Sequence, residues 1–223
     1  MKAMLLAAGR GERMRPLTDT TPKSLLRAGG KPLIVWTIER LARAGITDLV
    51  INHAHHGEQI EAELRDGARL GVRIRYSPEQ EALETAGGIT QALPLLGSEP
   101  FIATAADIYS DYDFARLAAR AARLQLAHLV LVPNPDHHPG GDFAVEGERV
   151  LAEGASKRTF SAMGLYHPEL FAQVVPGSKA QLAPLLREAM GAGRVSGELH
   201  AGEWRDIGTP ERLTALERDL AKG

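Results

Sequence analysis

Strand-like and helix-like segments take turns through the first 133 residues of this chain. Ala3 to Ala7 is a short apolar run, the pattern of a strand buried on both faces. Pro32 suits the first turn of a helix, and Ile34, Ile38 and Leu41 follow at helical spacing. "DLVIN" (Asp48 to Asn52) is the next apolar run, "GEQIEAELRDGARLG" reads as an amphipathic helix with a glycine stop, and "VRIRY" (Val72 to Tyr76) alternates. "TAGGITQAL" has the character of a loop entering a helix, with Thr85 as a candidate N-cap. "FIATAAD" (Phe101 to Asp107) reads as a strand ending in an acid, Asp113 to Leu126 as helix and "HLVLVP" as strand. This order predicts an α/β fold: an open, mainly parallel mixed sheet, Rossmann-like and doubly wound, with helices on both faces.

After Pro133 the texture changes. "PNPDHHPGGDF" reads as a loop, followed by shorter strands such as "RVLAE" and "TFSAMGLYH", then helices at Gln181 to Ala192 and Pro210 to Ala221. No repeat, low-complexity tract or linker interrupts the 223 residues, which suffice for one large domain with its own core. One domain over 1–223 is expected, its second half completing the site built by the first.

Bulk properties matter here mainly for what they exclude. An apolar fraction of 44% and a net charge of -2 describe a soluble globular chain, neither disordered nor coated for nucleic acid. Any anion site must therefore be local. Cysteine is absent, which rules out a disulfide framework or cysteine metal site and fits a reducing cytoplasm. Gly9 and Arg10 cut short the apolar start, so no signal peptide is expected, and no apolar stretch is long enough to span a bilayer.

The local anion site has an obvious candidate in "LLAAGRGERMRPLTDTTPKS", from Leu5 to Ser24. Ligands of open α/β sheets bind beyond the carboxyl ends of the strands, so a loop after the first strand is well placed. Glycines let backbone N–H groups approach phosphate oxygens, and Arg13, Arg15 and Lys23 can add charge-assisted bonds. Two phosphate motifs fail: a dinucleotide fingerprint wants glycine where Met14 stands, and a P-loop wants glycine where Pro22 precedes Lys23. A solvated, tightly turned loop is the competing reading.

Two acids stand out, Asp107 at a strand end and Asp206 in "WRDIGTPE" before a helix. Mg²⁺ is commonly held by one or two carboxylates with water and substrate phosphates, while acids in such places also serve as helix caps. Both readings stay open on the residues alone. The histidines at 53, 55, 56, 137 and 138 lack the helical i, i+4 spacing of a zinc site with a catalytic acid, and no Gly-x-Ser-x-Gly nucleophile is present. Trp36 and Trp204 read as packing residues.

"LAAGRGERMRPLT…PKSL" resembles the signature of the sugar-phosphate nucleotidyltransferases, and the likeness extends over the whole chain. Within that family, "INHAHHGEQIE", "RYSPEQEALETAGGI", "SDYDFARL", "HPELF", "LAPLLREAM" and "IGTPERL" are similar to the bacterial enzymes that uridylylate N-acetylmuramate 1-phosphate in cell-wall recycling. The resemblance implies a nucleotide-binding half at about 1–133 and a sugar-phosphate-binding half at about 134–223. It implies that Leu6, Ala8, Gly9 and Gly11 lie against the nucleotide, that Arg13 holds the triphosphate, and that Lys23 contacts phosphate. It places Mg²⁺ on Asp107 and Asp206, and makes Arg13, Lys23 and Asp107 the catalytic group. It assigns Glu79, Ala86 and Gly87 to the base, and Gly141, Glu153 and Lys157 to the sugar phosphate.

The expected partners are a nucleoside triphosphate, favoured UTP, and a sugar 1-phosphate, with no nucleic acid or membrane, in a monomer or weak homodimer. A muramate carboxylate would favour a nearby cation or N–H array, for which Arg194, Arg205 and the backbone around Gly140 and Gly141 are candidates. One departure stands beside Asp107: the nearest relatives carry Asn-Gly-Asp, whereas this chain has Ala105, Ala106 and Asp107. Two rivals follow, guanylyl transfer to mannose 1-phosphate and a nucleotide-binding regulatory domain with impaired catalysis.

Overall fold

In the computed structural model, which describes residues 1–222, a nine-stranded sheet runs through both halves of the chain. The chain opens with β1 (Lys2–Leu6), and a long loop then leads to a small ribbon of β2 (Arg27–Ala28) and β3 (Lys31–Pro32). Helix α1 (Leu33–Arg43) starts right after Pro32, which precedes the first helical turn and does not belong to it. β4 (Asp48–His53), α2 (Gly57–Leu64), β5 (Arg73–Pro78), α3 (Glu84–Leu96) and β6 (Phe101–Ala105) follow in alternation. Strands β5, β4, β1 and β6 lie side by side and parallel. Leu6 is in register with Asn52 on one side and Ala105 on the other, so these carboxyl ends stop at one level.

The second half departs from parallel pairing. β7 (Ile108–Ser110), α4 (Phe114–Ala119) and β8 (Ala127–Val132) lead to a hairpin of β9 (Phe143–Glu146) and β10 (Arg149–Leu151), then β11 (Lys157–Tyr166). β11 inserts antiparallel between β6 and β8, and β12 (Val195–Leu199) runs parallel to β8 after helix α5 (Leu182–Gly191). The expectation of short strands here is wrong for β11, which spans 10 residues. Its pairing with β8 shifts between Phe160 and Met163, where Ala162 takes a positive φ of 60°. This bulge bends the strand at the centre of the sheet.

Two cores explain the layers. Ala3, Leu5, Ile51 and Ile102 face α1, α2 and α4 through Ile34, Ile38, Ile60 and Leu117. Met4, Val50, Phe101 and Leu129 face α3 and α5 through Ile89, Leu96, Leu186 and Met190. Alternate residues of β1 thus feed opposite faces, which is why its apolar run has no polar gaps. Each such side chain contributes about 1.5–3 kcal/mol on full burial. β13 (Trp204–Asp206) pairs with β7, and α6 (Pro210–Leu220) closes a third cluster in which Leu216 and Ile207 meet Met14, Leu33 and Tyr109.

Two helices are shorter than their sequence patterns. α2 ends at Leu64 because Arg65 (φ 52°) and Gly67 (φ 83°) turn the chain back. A Cβ at Gly67 would lie 2.7 Å from Ile74, so the turn closes directly on β5. α4 ends at Ala119 and gives way to a single 3-10 turn, because the chain must descend to begin β8 at Ala127. No helix among the described residues is long and apolar enough to cross a membrane.

Candidate active site

The loop after β1 is staked at its middle by Met14, which is fully buried. Gly11 takes φ 65°, and a Cβ there would come within 3.0 Å of Thr18 and 3.1 Å of Lys23, so only glycine fits. Thr18 Oγ1 donates to the Gly11 carbonyl at 2.8 Å, closing the loop on itself. At its start, the Ala7 N–H donates to Asn52 Oδ1 at 3.0 Å. Asn52 Nδ2 donates in turn to Glu79 Oε1 at 2.6 Å, and the Leu83 N–H donates to Glu79 Oε2 at 2.9 Å. This buried relay ties together the ends of β1, β4 and β5 and the entry to α3.

Two joined cavities open at this level. A mouth of about 340 Å³ is lined by Gly9, Gly11, Arg13, Lys23 and Asp107. A chamber of about 640 Å³ lies beside it, and Leu6 and Gly9 border both. The mouth brings the two distant acids together. Ile108 pairs with Asp206 across the β7–β13 ribbon, and the Ile207 N–H donates to the Asp107 carbonyl at 3.0 Å. Lys23 Nζ pairs with the Asp107 carboxylate. Asp206 is held by Arg212 at 2.5 Å and lies 3.1 Å from His137 Nε2. A Cβ on Gly208 would lie 3.3 Å from both Arg13 Nη2 and Asp206 Oδ2, so Arg13 borders the same spot.

Two carboxylates supply hard oxygens suited to Mg²⁺ but too few to enclose it. No group of three or more His, Cys, Asp or Glu residues able to hold a metal occurs among the described residues. The donor set therefore suits an ion shared with water and ligand phosphates, and a mouth that also carries Arg13 and Lys23 suits a polyanion.

Residues 2–223 match the nucleotidyl transferase family. The chain belongs to that family. It is 54% identical over 220 residues to the N-acetylmuramate alpha-1-phosphate uridylyltransferase of Neisseria meningitidis serogroup B, covering 96% of this chain and 95% of that protein. It is 34% identical to the protein of the same name from Caulobacter vibrioides, covering 99% and 97%. A crystal structure of a Bacillus anthracis protein described as a glucose-1-phosphate thymidylyltransferase superposes with a TM-score of 0.89 at 21% identity, over 99% of this chain and 95% of that one. The last likeness concerns the fold, the Rossmann-like α/β arrangement expected from the sequence.

In this nucleotidyl transferase the mouth is lined by Gly9, Gly11, Arg13, Lys23 and Asp107, with Asp206 beside its Gly208 edge, while Leu6, Ala8 and Gly9 face the chamber. The other residues singled out from the sequence are placed differently. Glu79 does not face the chamber: both its oxygens accept within the relay, from Asn52 and from the Leu83 N–H. Burial pushes its carboxyl above the ordinary range, against the Asn52 amide and the Leu83 N–H, which pull it down. Ala86 and Gly87 do not offer their amides to a base either, since both donate to the Ala180 carbonyl at 2.9 and 3.1 Å. A Cβ on Gly87 would lie 2.3 Å from the Ser178 carbonyl oxygen. Gly87 is therefore a packing glycine that seats the 178–180 segment on α3. Glu84, Thr85 and Ile89 are the residues of this stretch that face the chamber. Thr85 is inside α3 and caps nothing; Leu83 occupies the N-cap position.

Gly141 (φ 61°) is likewise a turn residue, for a Cβ would meet the backbone of Lys157 at 2.9 Å. Its neighbour Asp142 faces the chamber, accepting from the Phe160 N–H at 2.8 Å and lying 3.1 Å from His138 Nε2. Glu153 and Lys157 pair with each other at 2.8 Å, with Glu153 exposed, and line neither cavity. Arg194 is paired with Glu169 at 2.9 Å, and Arg205 with Asp219 at 2.7 Å and Glu203 at 2.9 Å, all outside the chamber. Ala105 lines the chamber and Ala106 the mouth, so the departure from Asn-Gly puts methyl groups on both walls. Both tryptophans pack, their Nε1 groups donating to Ala28 and Ser161 carbonyls.

Sequence reasoning did not single out Asn52, Arg10, Phe160, Tyr166 or Arg187, all of which line the chamber. Asn52 had a usable signal, a polar residue ending the apolar run "DLVIN". Arg187 lies in the quoted stretch "LAPLLREAM", where nothing sets it apart from the other charged residues of an amphipathic helix.

Proposed function

We propose that this enzyme transfers a uridylyl group from UTP to N-acetylmuramate 1-phosphate, releasing pyrophosphate, in the recycling of cell-wall sugar. The observation that carries the reading is 54% identity, over nearly the whole of both chains, to a uridylyltransferase of that acceptor. A phosphate oxygen of the acceptor attacks the α-phosphorus in line, and pyrophosphate leaves on the opposite side. Such a transfer rests on positioning and charge stabilisation. The attacking phosphate is already ionised, so no side chain need act as general base. Gly9 and Gly11 allow the backbone to approach the triphosphate, and Arg13 and Lys23 hold its charge as pyrophosphate departs. Leu6 and Ala8 border the nucleoside.

Asp107 and Asp206 would hold Mg²⁺, which when bound neutralises charge on the phosphate oxygens. Lys23, now on Asp107, is then released to the phosphates. The acceptor lies toward the second half of the chain, past Asp142 and Phe160. The reading places the enzyme in the cytoplasm, where nucleoside triphosphates are available, as a monomer or weak homodimer.

The test is pyrophosphate release with each nucleoside triphosphate against a panel of sugar 1-phosphates, with product masses read. The expected pair is UTP with N-acetylmuramate 1-phosphate. Preference for GTP with mannose 1-phosphate would overturn the assignment, and absence of turnover with every pair would favour a regulatory domain.

A further inference from the structure

We infer that Arg187 reads the carboxylate of the acceptor sugar and so sets acceptor specificity. The inference rests on the acceptor proposed above and adds to it a role for one residue of "LAPLLREAM" that lies outside the mouth. N-acetylmuramate 1-phosphate is anionic at two places, its phosphate and its carboxylate. The first reacts with the triphosphate at the mouth, beside Arg13 and Lys23. The second needs a cation in the chamber.

The chamber is walled largely by apolar groups, including Phe143, Phe160, Tyr166, Leu182 and Leu186. Arg187 lies exposed at the edge of this wall, one position beyond Leu186 on α5, with its guanidinium 5.9 Å from the Phe143 ring centroid. Among the described residues it makes no ion pair. Glu153, which feels its charge at longer range, is already bound to Lys157. Asp142, the acid beside Phe143, is engaged by the Phe160 N–H and His138. The other chamber arginine, Arg10, adjoins Gly9, which borders the mouth as well as the chamber. Arg194 and Arg205 are bound to acids elsewhere.

An unpaired guanidinium against an aromatic wall is a place for a planar anion. Its fork matches a carboxylate with two parallel hydrogen bonds. A sugar lacking the carboxylate leaves that fork unused.

The experiment measures kcat and KM, with UTP saturating, for N-acetylmuramate 1-phosphate and N-acetylglucosamine 1-phosphate in the wild type, Arg187→Met and Arg187→Lys, with thermal melting as a folding control. The wild type should prefer the muramate tenfold or more. In Arg187→Met that ratio should collapse towards one through a rise in KM for the muramate, and Arg187→Lys should recover part of it. A ratio kept by Arg187→Met, or equal losses on both acceptors, would overturn the role of Arg187. A wild type that shows no preference for the muramate would instead overturn the acceptor assignment, and the inference with it.

Discussion

Around the mouth, Asp107 is paired with Lys23 and Asp206 with Arg212, whereas at the chamber Arg187 lies by a phenylalanine ring and makes no ion pair among the described residues. The two regions share Leu6 and Gly9 yet treat charge differently. The mouth region keeps its acids in ion pairs, and on the proposed reading a triphosphate arriving with Mg²⁺ would exchange partners among groups already in place. Such partly exposed pairs contribute little to stability and can be rearranged without disturbing the fold. The chamber owes its shape to buried contacts instead: the Glu79 relay and the seating of Ala180 on Ala86 and Gly87. Substitutions in the mouth should therefore change rate with little change in stability, and substitutions in the buried contacts behind the chamber, at Glu79 and Gly87, should do the reverse.

The largest effect should come from the acids. Asp107→Asn and Asp206→Asn should each lower kcat a hundredfold to a thousandfold, about 3–4 kcal/mol in the barrier, with an unchanged circular dichroism spectrum. Near-normal turnover of either variant at saturating Mg²⁺ would remove the paired-ligand reading of the mouth. Arg13→Ala should come next, raising KM for UTP by about tenfold or more, the worth of one charge-assisted hydrogen bond. KM for the sugar phosphate should move less, and Arg13→Lys should recover only part because it lacks the planar fork. Equal losses for both substrates would mean that Arg13 shapes the loop and does not hold the nucleotide.

The chamber side is tested by stability. Glu79→Leu leaves the Asn52 amide and the Leu83 N–H without an acceptor, at about 1–3 kcal/mol for each buried group. Urea titration should show this as a lower midpoint, and an unchanged midpoint would show that the relay does not support the fold. Gly87→Ala should also lower the midpoint, because its Cβ would lie 2.3 Å from the Ser178 backbone carbonyl and the 178–180 segment must shift to admit it. Overpacking of this kind costs about 1–3 kcal/mol. A midpoint equal to wild type would show that the 178–180 segment moves freely.

Much of the architecture was legible in the sequence because the signals are local. Apolar runs such as Ala3 to Ala7 report a strand buried on both faces, and helical spacing in α1 reports which face meets the sheet. Local signals also misled. "GEQIEAELRDGARLG" keeps a helical pattern beyond Leu64, but the turn at Arg65 to Gly67 packs against β5, which lies outside the pattern. β11 looked like a short strand because its bulge breaks the alternation that would have shown its length.

The sequence by itself determined the alternation of elements and the small-residue loop with its cations, both of which follow from residue type and spacing along the chain; it left the two acids open between metal ligand and helix cap. Tertiary structure alone decided what each polar group does. Asp107 and Asp206 meet because β7 and β13 pair, Glu79 serves Asn52 because β4 and β5 run side by side, and Arg187 faces the chamber because α5 packs over β10 and β12. A carboxylate or guanidinium acts on whatever lies within about 3 Å. That neighbour is set by distant segments brought together, which spacing along one chain does not record.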